Sequence, residues 1–435
     1  MTVDAHIQRR RQVLAQIEDG VAIIPTAPER LRNRDTHYPY RFDSYFWYLS
    51  GFPEPEAVIV LLGGENPKDL LFCREKDPER EIWDGFRHGP DAAAEKFGFA
   101  EACPLATLEK RLPELLANRR MLWHALGYDR RWDRRLTDAL NAVRAQSRSG
   151  TRAPSEIRDL RALLDGMRLI KDADELALMR QAAAITDRGH RRAMQRCRPG
   201  MSEYQLEAEI SYEFRRLGAD SHAYPPIVAG GANACILHYV DNDRPLNDGD
   251  LVLIDAGCER SGYAADVTRT WPVSGRFSGV QREVYEIVLA AQSAAIAALR
   301  PGVSFITYHQ AALRVLTQGL IDLRVLTGDI DELIANQAYQ PWYMHRTGHW
   351  LGLDVHDAGD YRTGDGADDW TPLAPGMVLT VEPGLYFRAA AETPAQLHGI
   401  GIRIEDDVLL TEDGCQVYTA APKTIAEIEE TMRHD

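Results

Sequence analysis

Apolar and polar positions fall into short alternating blocks along the first third of the chain. VAIIP (21–25), AVIVLL (57–62), DLLFC (69–73) and RMLWHAL (120–126) are apolar runs of strand length. DAAAEKFG (91–98), LATLEKRLPELLA (105–117) and DRRWDRRLTDALNAVRAQ (129–146) read as helices. This mixture predicts an α/β domain over residues 1–165. Its aromatic run YFWYL (45–49) reads as core in preference to an interface. TRAPSEIRDLRALLDGMRLIK (151–171) reads as a helix and basic connector leading to a second domain over 166–435.

The second domain repeats itself. RPGMS at 198–202 recurs as RPGVS at 300–304, each between two amphipathic helices. Pro-Gly ends one helix and the serine caps the next. Asp172 with Glu175, Ser202 with Gln205, and Ser278 with Gln281 all have capping-box spacing. Strands follow each helix pair. The pattern predicts two α-α-β units packed as a pseudo-twofold pair.

Within these units, apolar strands repeatedly stop on an acid. LVLIDAGCERSGYAADVTRTW (251–271) predicts a hairpin with its tip at Arg260 and Ser261. That register sets Asp255 directly opposite Asp266. Like charges opposite each other destabilise a sheet, more so when buried, so a cation or a shared proton is required. MVLTVEPGLY (377–386) is a strand that ends on Glu382 and breaks at Pro383-Gly384, and GIGIRIEDDVLLT (399–411) reads as one strand carrying Arg403 and Glu405 on one face. HRTGHWLGLDVHD (345–357) holds His345, His349 and His356. The four-residue step from His345 to His349 would suit a metal on a helix, but Gly348 and Gly352 argue against a helix. Arg346 also stands where a zinc-protease helix needs glutamate. LGLDVHD alternates as a strand does.

Four acids delivered by strands and one glycine-flanked histidine suit a pair of divalent ions. Asp255, Asp266, Glu382 and Glu405 bring four negative charges, which two such ions balance. Oxygen-rich ligands with one nitrogen favour Mn²⁺, with Co²⁺, Fe²⁺ or Zn²⁺ as alternatives. Arg403 would fix a carboxylate as an outer donor, or form an ordinary cross-strand ion pair.

Composition narrows the partners. The chain has 435 residues, 45% hydrophobic and 26% charged, with a net charge of −15. That balance argues against nucleic acid, whose phosphates need Lys and Arg. No apolar run approaches the ~20 residues of a membrane span, and the start MTVDAHIQRRRQVL has no signal-peptide core. Six scattered cysteines without paired spacing read as reduced thiols of a cytoplasmic protein.

Asp255, Asp266, His349, Glu382 and Glu405, in that order, resemble the five ligands of the pita-bread metallopeptidases. CILHY (235–239), DGDLVLIDAG (248–257), HWLGLDVHD (349–357), GMVLTVEPGLY (376–386), GIGIRIEDD (399–407) and the N-terminal YPYRFDSYFWYLSGFPEPEAV (38–58) resemble the aminopeptidase P family within that group. The resemblance covers nearly the whole chain. It implies an α/β N-terminal domain followed by an α+β pita-bread catalytic domain. It further implies Asp255 as a terminal ligand, Asp266 and Glu405 as bridges, and His349 and Glu382 completing a two-metal site. His238, His345 and His356 match substrate-contacting histidines, and Glu382 is assigned proton handling. The implied activity is release of the first residue from peptides with proline second. The family is often a homo-oligomer, here a dimer or a tetramer. AGDYRTGDGADDWTPLAPG (358–376) does not align with the family pattern, which leaves one wall of the site open. The rival readings are a prolidase acting on dipeptides, a methionine aminopeptidase, and a non-catalytic pita-bread binding module.

Overall fold

The computed structural model describes residues 1–366 and 368–433, so Ala367 of the acidic 358–376 segment lies outside the described residues. The chain divides into two compact units, Met1–Met167 and Arg168–Asp435.

The first unit is built on a six-stranded mixed sheet. Its strands are β1 (Gly20–Pro25), β2 (Val58–Leu62), β3 (Lys68–Cys73), β4 (Glu101–Pro104), β5 (Met121–Trp123) and β6 (Glu156–Arg158), in the order β4-β3-β2-β1-β5-β6. The apolar runs form the central strands because both faces are covered; every residue of VIVLL in β2 is buried. Helix α1 (Val3–Gln16) precedes the sheet, and YFWYL lies in a short helix, α2 (Ser44–Ser50), with Phe46, Tyr48 and Leu49 buried. After α3 (Pro90–Phe97), the helices α4 (Leu108–Leu116) and α5 (Arg130–Arg144) line the core with Leu108, Leu112 and Leu116, and with Trp132, Leu136, Leu140 and Val143. Both sets follow helical spacing. Helix α6 (Leu160–Leu169) spans the boundary between the units.

In the second unit, α7 (Ala173–Arg196) and α8 (Glu203–Arg216) form one helix pair, and α9 (Gly279–Ala298) and α10 (Ile306–Asp322) the other. Capping boxes form at Asp172/Glu175, Ser202/Gln205 and Ser278/Gln281. The repeat is visible in the backbone. Gly200 N donates to Leu246 O (2.8 Å) and Glu203 N to Arg244 O (2.9 Å); in the second copy Gly302 N donates to Leu373 O (2.8 Å) and Phe305 N to Thr371 O (2.9 Å). Ser304 departs from its counterpart. The helix starts after Phe305, which turns inward against Trp350 and Tyr361, and Ser304 Oγ is buried without a hydrogen-bond partner among the described residues.

Strands β7 (Ile227–Gly230), β8 (Leu251–Asp255) and β11 (Thr268–Pro272) make one antiparallel sheet, with the short ribbon β9 (Cys258–Arg260) and β10 (Tyr263–Ala264) between β8 and β11. The hairpin register differs from the sequence expectation. Asp255 faces Thr268, not Asp266, because the turn is centred on Ser261 (φ 49°) and Gly262 (φ 82°), with Arg260 opposite Tyr263. Two consecutive positive φ values make a type I′ turn, whose twist suits a two-residue hairpin. The shift is two residues, so Asp266 stays on the face of Asp255, one diagonal step away.

In the second copy, β12 (Val378–Val381), β15 (Asp406–Leu410) and β16 (Cys415–Val417) form a sheet, and β13 (Gly384–Phe387) pairs with β14 (Ile400–Arg403). The single strand expected over 399–411 is therefore two. The register is unbroken across the gap: Val381 faces Asp406 and Gly384 faces Arg403. Glu382 thus stands opposite Glu405, and Pro383, which has no N–H to give the ladder, stands opposite Ile404. LGLDVHD is not a strand either. It coils around the buried Asp357 carboxylate, which Arg168 Nη2 (2.5 Å) and Lys171 Nζ (2.9 Å) neutralise. Among the described residues, no helix is long and apolar enough to cross a membrane.

Candidate metal centre

A cavity of about 480 Å³ lies in the second unit and is lined by Asp255, Asp266, His349, Glu382 and Glu405, together with His238, His345, His356 and Arg403. The first repeat supplies Asp255 and Asp266 at the end of β8 and before β11. The second supplies Glu382 and Glu405 from the gap in its double hairpin. His349 enters from the segment before β12; its backbone N–H donates to Thr380 Oγ1 (3.1 Å).

The ring of His349 has a defined orientation. Its Nδ1 lies 2.9 Å from Trp350 O, and a carbonyl only accepts, so Nδ1 carries hydrogen. Nε2 faces Asp266 Oδ2 (3.3 Å) and Glu382 Oε1 (3.7 Å). One ligand atom each from Asp266, His349 and Glu405 falls within 4.8 Å of the others. His345 makes the same kind of bond, Nδ1 to Arg346 O at 2.7 Å, so its Nε2 accepts from Tyr386 OH at 2.8 Å. The His356 ring stands edge-on to His349, with 4.4 Å between centroids.

The electrostatics are those of too much negative charge in too little water. Burial, and then the Asp266 carboxylate, raise Asp255 above the usual carboxylate range; burial and Asp266 likewise push Glu405 well up. Burial lifts Glu382 to about 7. Burial would raise Asp266 too, but its bond to His349 outweighs that and holds it low. Burial would lower His349, yet the Asp266 and Glu382 carboxylates hold it up to about 9. Burial and the Arg403 guanidinium press His345 down to about 3. Four carboxylates, Asp266 and Glu405 buried and Asp255 and Glu382 half-buried, thus face one guanidinium and one imidazole. Such a set needs added positive charge, and its oxygen-rich donors with one nitrogen fit divalent ions.

Several residues of the site carry no sequence signal. Tyr224 OH reaches Asp255 Oδ1 (2.6 Å) and Asp266 Oδ1 (2.5 Å). One phenolic proton cannot serve two ionised carboxylates at once, so this close pair of acids also calls for positive charge beside it. Thr268 donates to Glu405 Oε2 (2.6 Å). Arg403 donates to Asp255 Oδ2 (2.7 Å), Thr268 Oγ1 (3.1 Å) and Tyr386 OH (3.0 Å), so the carboxylate it fixes belongs to Asp255 and not to its neighbour Glu405. Glu203, the first residue of α8, is fully buried and accepts four hydrogen bonds: Gly230 N (2.7 Å) and Asn233 Nδ2 (2.9 Å) on Oε1, Tyr239 OH (2.8 Å) and Arg244 N (2.9 Å) on Oε2. It holds the segment that carries His238. Its capping-box neighbours were legible; its partners were not.

Comparison with known proteins gives a consistent result. Residues 177–412 match the model of metallopeptidase family M24, and residues 6–123 match that of the aminopeptidase P N-terminal domain. The chain is 48% identical to the Xaa-Pro aminopeptidase of Escherichia coli over 98% of this chain and 97% of that one. It is 37% identical to human Xaa-Pro aminopeptidase 3 over 95% of this chain and 80% of that one. Among solved structures, the Pseudomonas aeruginosa aminopeptidase PepP superposes with a TM-score of 0.97 at 49% identity, covering 99% of this chain and 98% of that one. A zinc-substituted Escherichia coli aminopeptidase P in complex with product superposes at 0.96 with 46% identity, over 99% and 98% of the two chains.

Proposed function

Because this chain belongs to metallopeptidase family M24, we propose that it is a Xaa-Pro aminopeptidase, a hydrolase that releases the first residue from peptides with proline second. The observation that carries the reading is the convergence of Asp255, Asp266, His349, Glu382 and Glu405, from both halves of the repeat, on one cavity that also holds three further histidines. In this reading the domains are an N-terminal domain over 1–165 and a catalytic domain over 166–435.

Asp255, Asp266, His349, Glu382 and Glu405 hold two divalent ions. Those ions supply Lewis acidity toward the scissile carbonyl and a nucleophilic water at neutral pH. Mn²⁺ is the metal the oxygen-rich donor set favours. Glu382 handles the proton, since its carboxylate lines the cavity beside His349, where it can take a proton from a water and return it to the leaving amine. Tyr386 bridges His345 and Arg403, which fixes His345 at the cavity wall, where it and His356 meet the substrate. His238 faces the leaving side. Proline at the second position suits a site that asks for no peptide N–H there.

The same reading puts the protein in the cytoplasm, in keeping with six cysteines that all remain free. It makes the protein a homo-oligomer, a dimer or tetramer. Ile82, Trp83 and Phe86 are 80%, 84% and 65% exposed on the first unit, an apolar surface that self-association would cover.

Hydrolysis of an Ala-Pro-Ala tripeptide beside an Ala-Pro dipeptide, by metal-stripped protein with and without Mn²⁺, tests the function. Metal-dependent release of alanine from the tripeptide is expected. Cleavage of the dipeptide alone would make the protein a prolidase, and cleavage of neither by the metal-loaded protein would defeat the proposal.

A further inference from the structure

Resting on the metal-centre reading, we infer that Asp357 is a positioning residue: with Arg168 and Lys171 it sets the orientation and tautomer of His349 through the backbone of Trp350.

The cluster lies behind the cavity. The Asp357 side chain is 1% exposed, and those of Arg168 and Lys171 are 2% and 1% exposed. Oδ1 takes the guanidinium and Oδ2 the ammonium, so both carboxylate oxygens are engaged by cations that have no water to turn to. Arg168 also donates to Asp354 Oδ2 (2.7 Å), and Asp354 N donates to Asp357 Oδ1 (3.2 Å). The segment is thereby tied to residues nearly two hundred positions earlier in the chain.

From the carboxylate the constraint reaches the site in two bonds. Asp357 N donates to Trp350 O at 3.0 Å, and the same carbonyl accepts His349 Nδ1–H at 2.9 Å. Anchoring Asp357 therefore anchors the acceptor that keeps hydrogen on Nδ1. With Nδ1 so engaged, the nitrogen left to face Asp266 and Glu382 is Nε2, the one a metal would need. A second path runs through Gly352. Its Cα lies so close to the Asp357 carboxylate that an added Cβ would fall 2.2 Å from Oδ2, and its carbonyl accepts Ala264 N at 2.8 Å, two residues before Asp266. His356 is the residue next to Asp357, so the same anchor holds its backbone.

Nothing about these three side chains touches the cavity, so a structural role is the alternative to be separated. The separating measurement is metal affinity, by calorimetric titration of the metal-stripped full-length protein with Mn²⁺. Asp357→Asn is compared with Leu320→Ala, a core truncation on α10 that destabilises without approaching the site. Groups that orient a ligating histidine typically change affinity 10- to 100-fold. Asp357→Asn should bind Mn²⁺ at least about tenfold more weakly, and Leu320→Ala as tightly as the parent. Lys171→Met, which leaves Arg168 on the carboxylate, should fall about threefold and serves if Asp357→Asn does not fold. Asp357→Asn within twofold of the parent overturns the inference, as does Lys171→Met with unchanged affinity where only it folds. If the parent itself takes up no Mn²⁺, the metal-centre reading fails and the inference with it; a parent that binds beside an equally tight Asp357→Asn sinks the inference alone.

Discussion

Glu203→Gln tests a buried carboxylate whose partners are all hydrogen-bond donors. The Glu203 carboxylate is fully buried with four donors on its two oxygens and, among the described residues, no cationic side chain paired with it; the N-terminus of α8 is the positive end it sits on. Glutamine keeps the shape but turns one oxygen into a donor. If the amide nitrogen takes the Oε1 side, it meets Gly230 N–H, which cannot accept, and the Asn233 amide, which must flip to accept. On the Oε2 side it meets Tyr239 OH, which can rotate and accept, and Arg244 N–H, which cannot. The second arrangement costs less. It strands one buried backbone donor and weakens the other bonds from charge-assisted to neutral. Bonds to charged groups are worth roughly 1.5–3 kcal/mol and a stranded donor costs about 1–3 kcal/mol, so a loss of about 2–4 kcal/mol is expected. For a large domain that corresponds to a fall in Tm of roughly 5–15 °C, read by thermal denaturation of the full chain. Because Tyr239 adjoins His238, KM for the tripeptide should rise more than kcat falls. A Tm within about 2 °C of the parent would refute the accounting, since neither arrangement of the amide escapes a clash.

Other outcomes follow from the same reasoning. Tyr224→Phe removes the hydroxyl that bridges Asp255 and Asp266; the metal-stripped protein should lose about 1–3 kcal/mol, and an unchanged Tm would show that the bridge carries no stability. Mn²⁺ at a hundredfold over its Kd should stabilise the metal-stripped chain by about 2.7 kcal/mol for each site filled, and a Tm indifferent to the ion would count against a metal centre. Burial, partly offset by the bond to Ala256 O, lowers His190 to about 4. Its unfolded value is about 6.5, so the stability it contributes is full above that pH and is lost as pH falls toward 4, reaching about 2 kcal/mol at pH 5. His190→Gln should flatten that part of the Tm-against-pH curve, and an identical slope would exclude the residue.

The acids were legible because each lies on or beside an apolar strand, and the repeat because Pro-Gly-X-Ser punctuates both copies in the same place. What escaped the sequence depended on geometry that residue patterns do not encode. The Asp255–Asp266 register turned on which two residues of Arg260-Ser261-Gly262 take positive φ. The split in 399–411 comes from Pro383 on the opposite strand, while the alternation of 399–411 itself runs on undisturbed through Glu405. LGLDVHD alternates as a strand would, but a buried Asp357 must be paired, and its cations come from residues 168 and 171. Tyr224 sits in AYPPIV, where nothing distinguishes a bridging phenol from a core tyrosine.

The unbroken register across the gap at Pro383 also governs how the chain tolerates changes in length. Side chains alternate faces along a strand, so adding or deleting one residue in 378–387 or 400–410 would turn Glu382 or Glu405 away from its partner. The connecting stretch 388–399 lies outside both ladders, and a residue gained there leaves the two acids face to face. Insertions and deletions in this part of the protein should therefore collect in 388–399 and be purged from the strands on either side, however exposed a given strand position is.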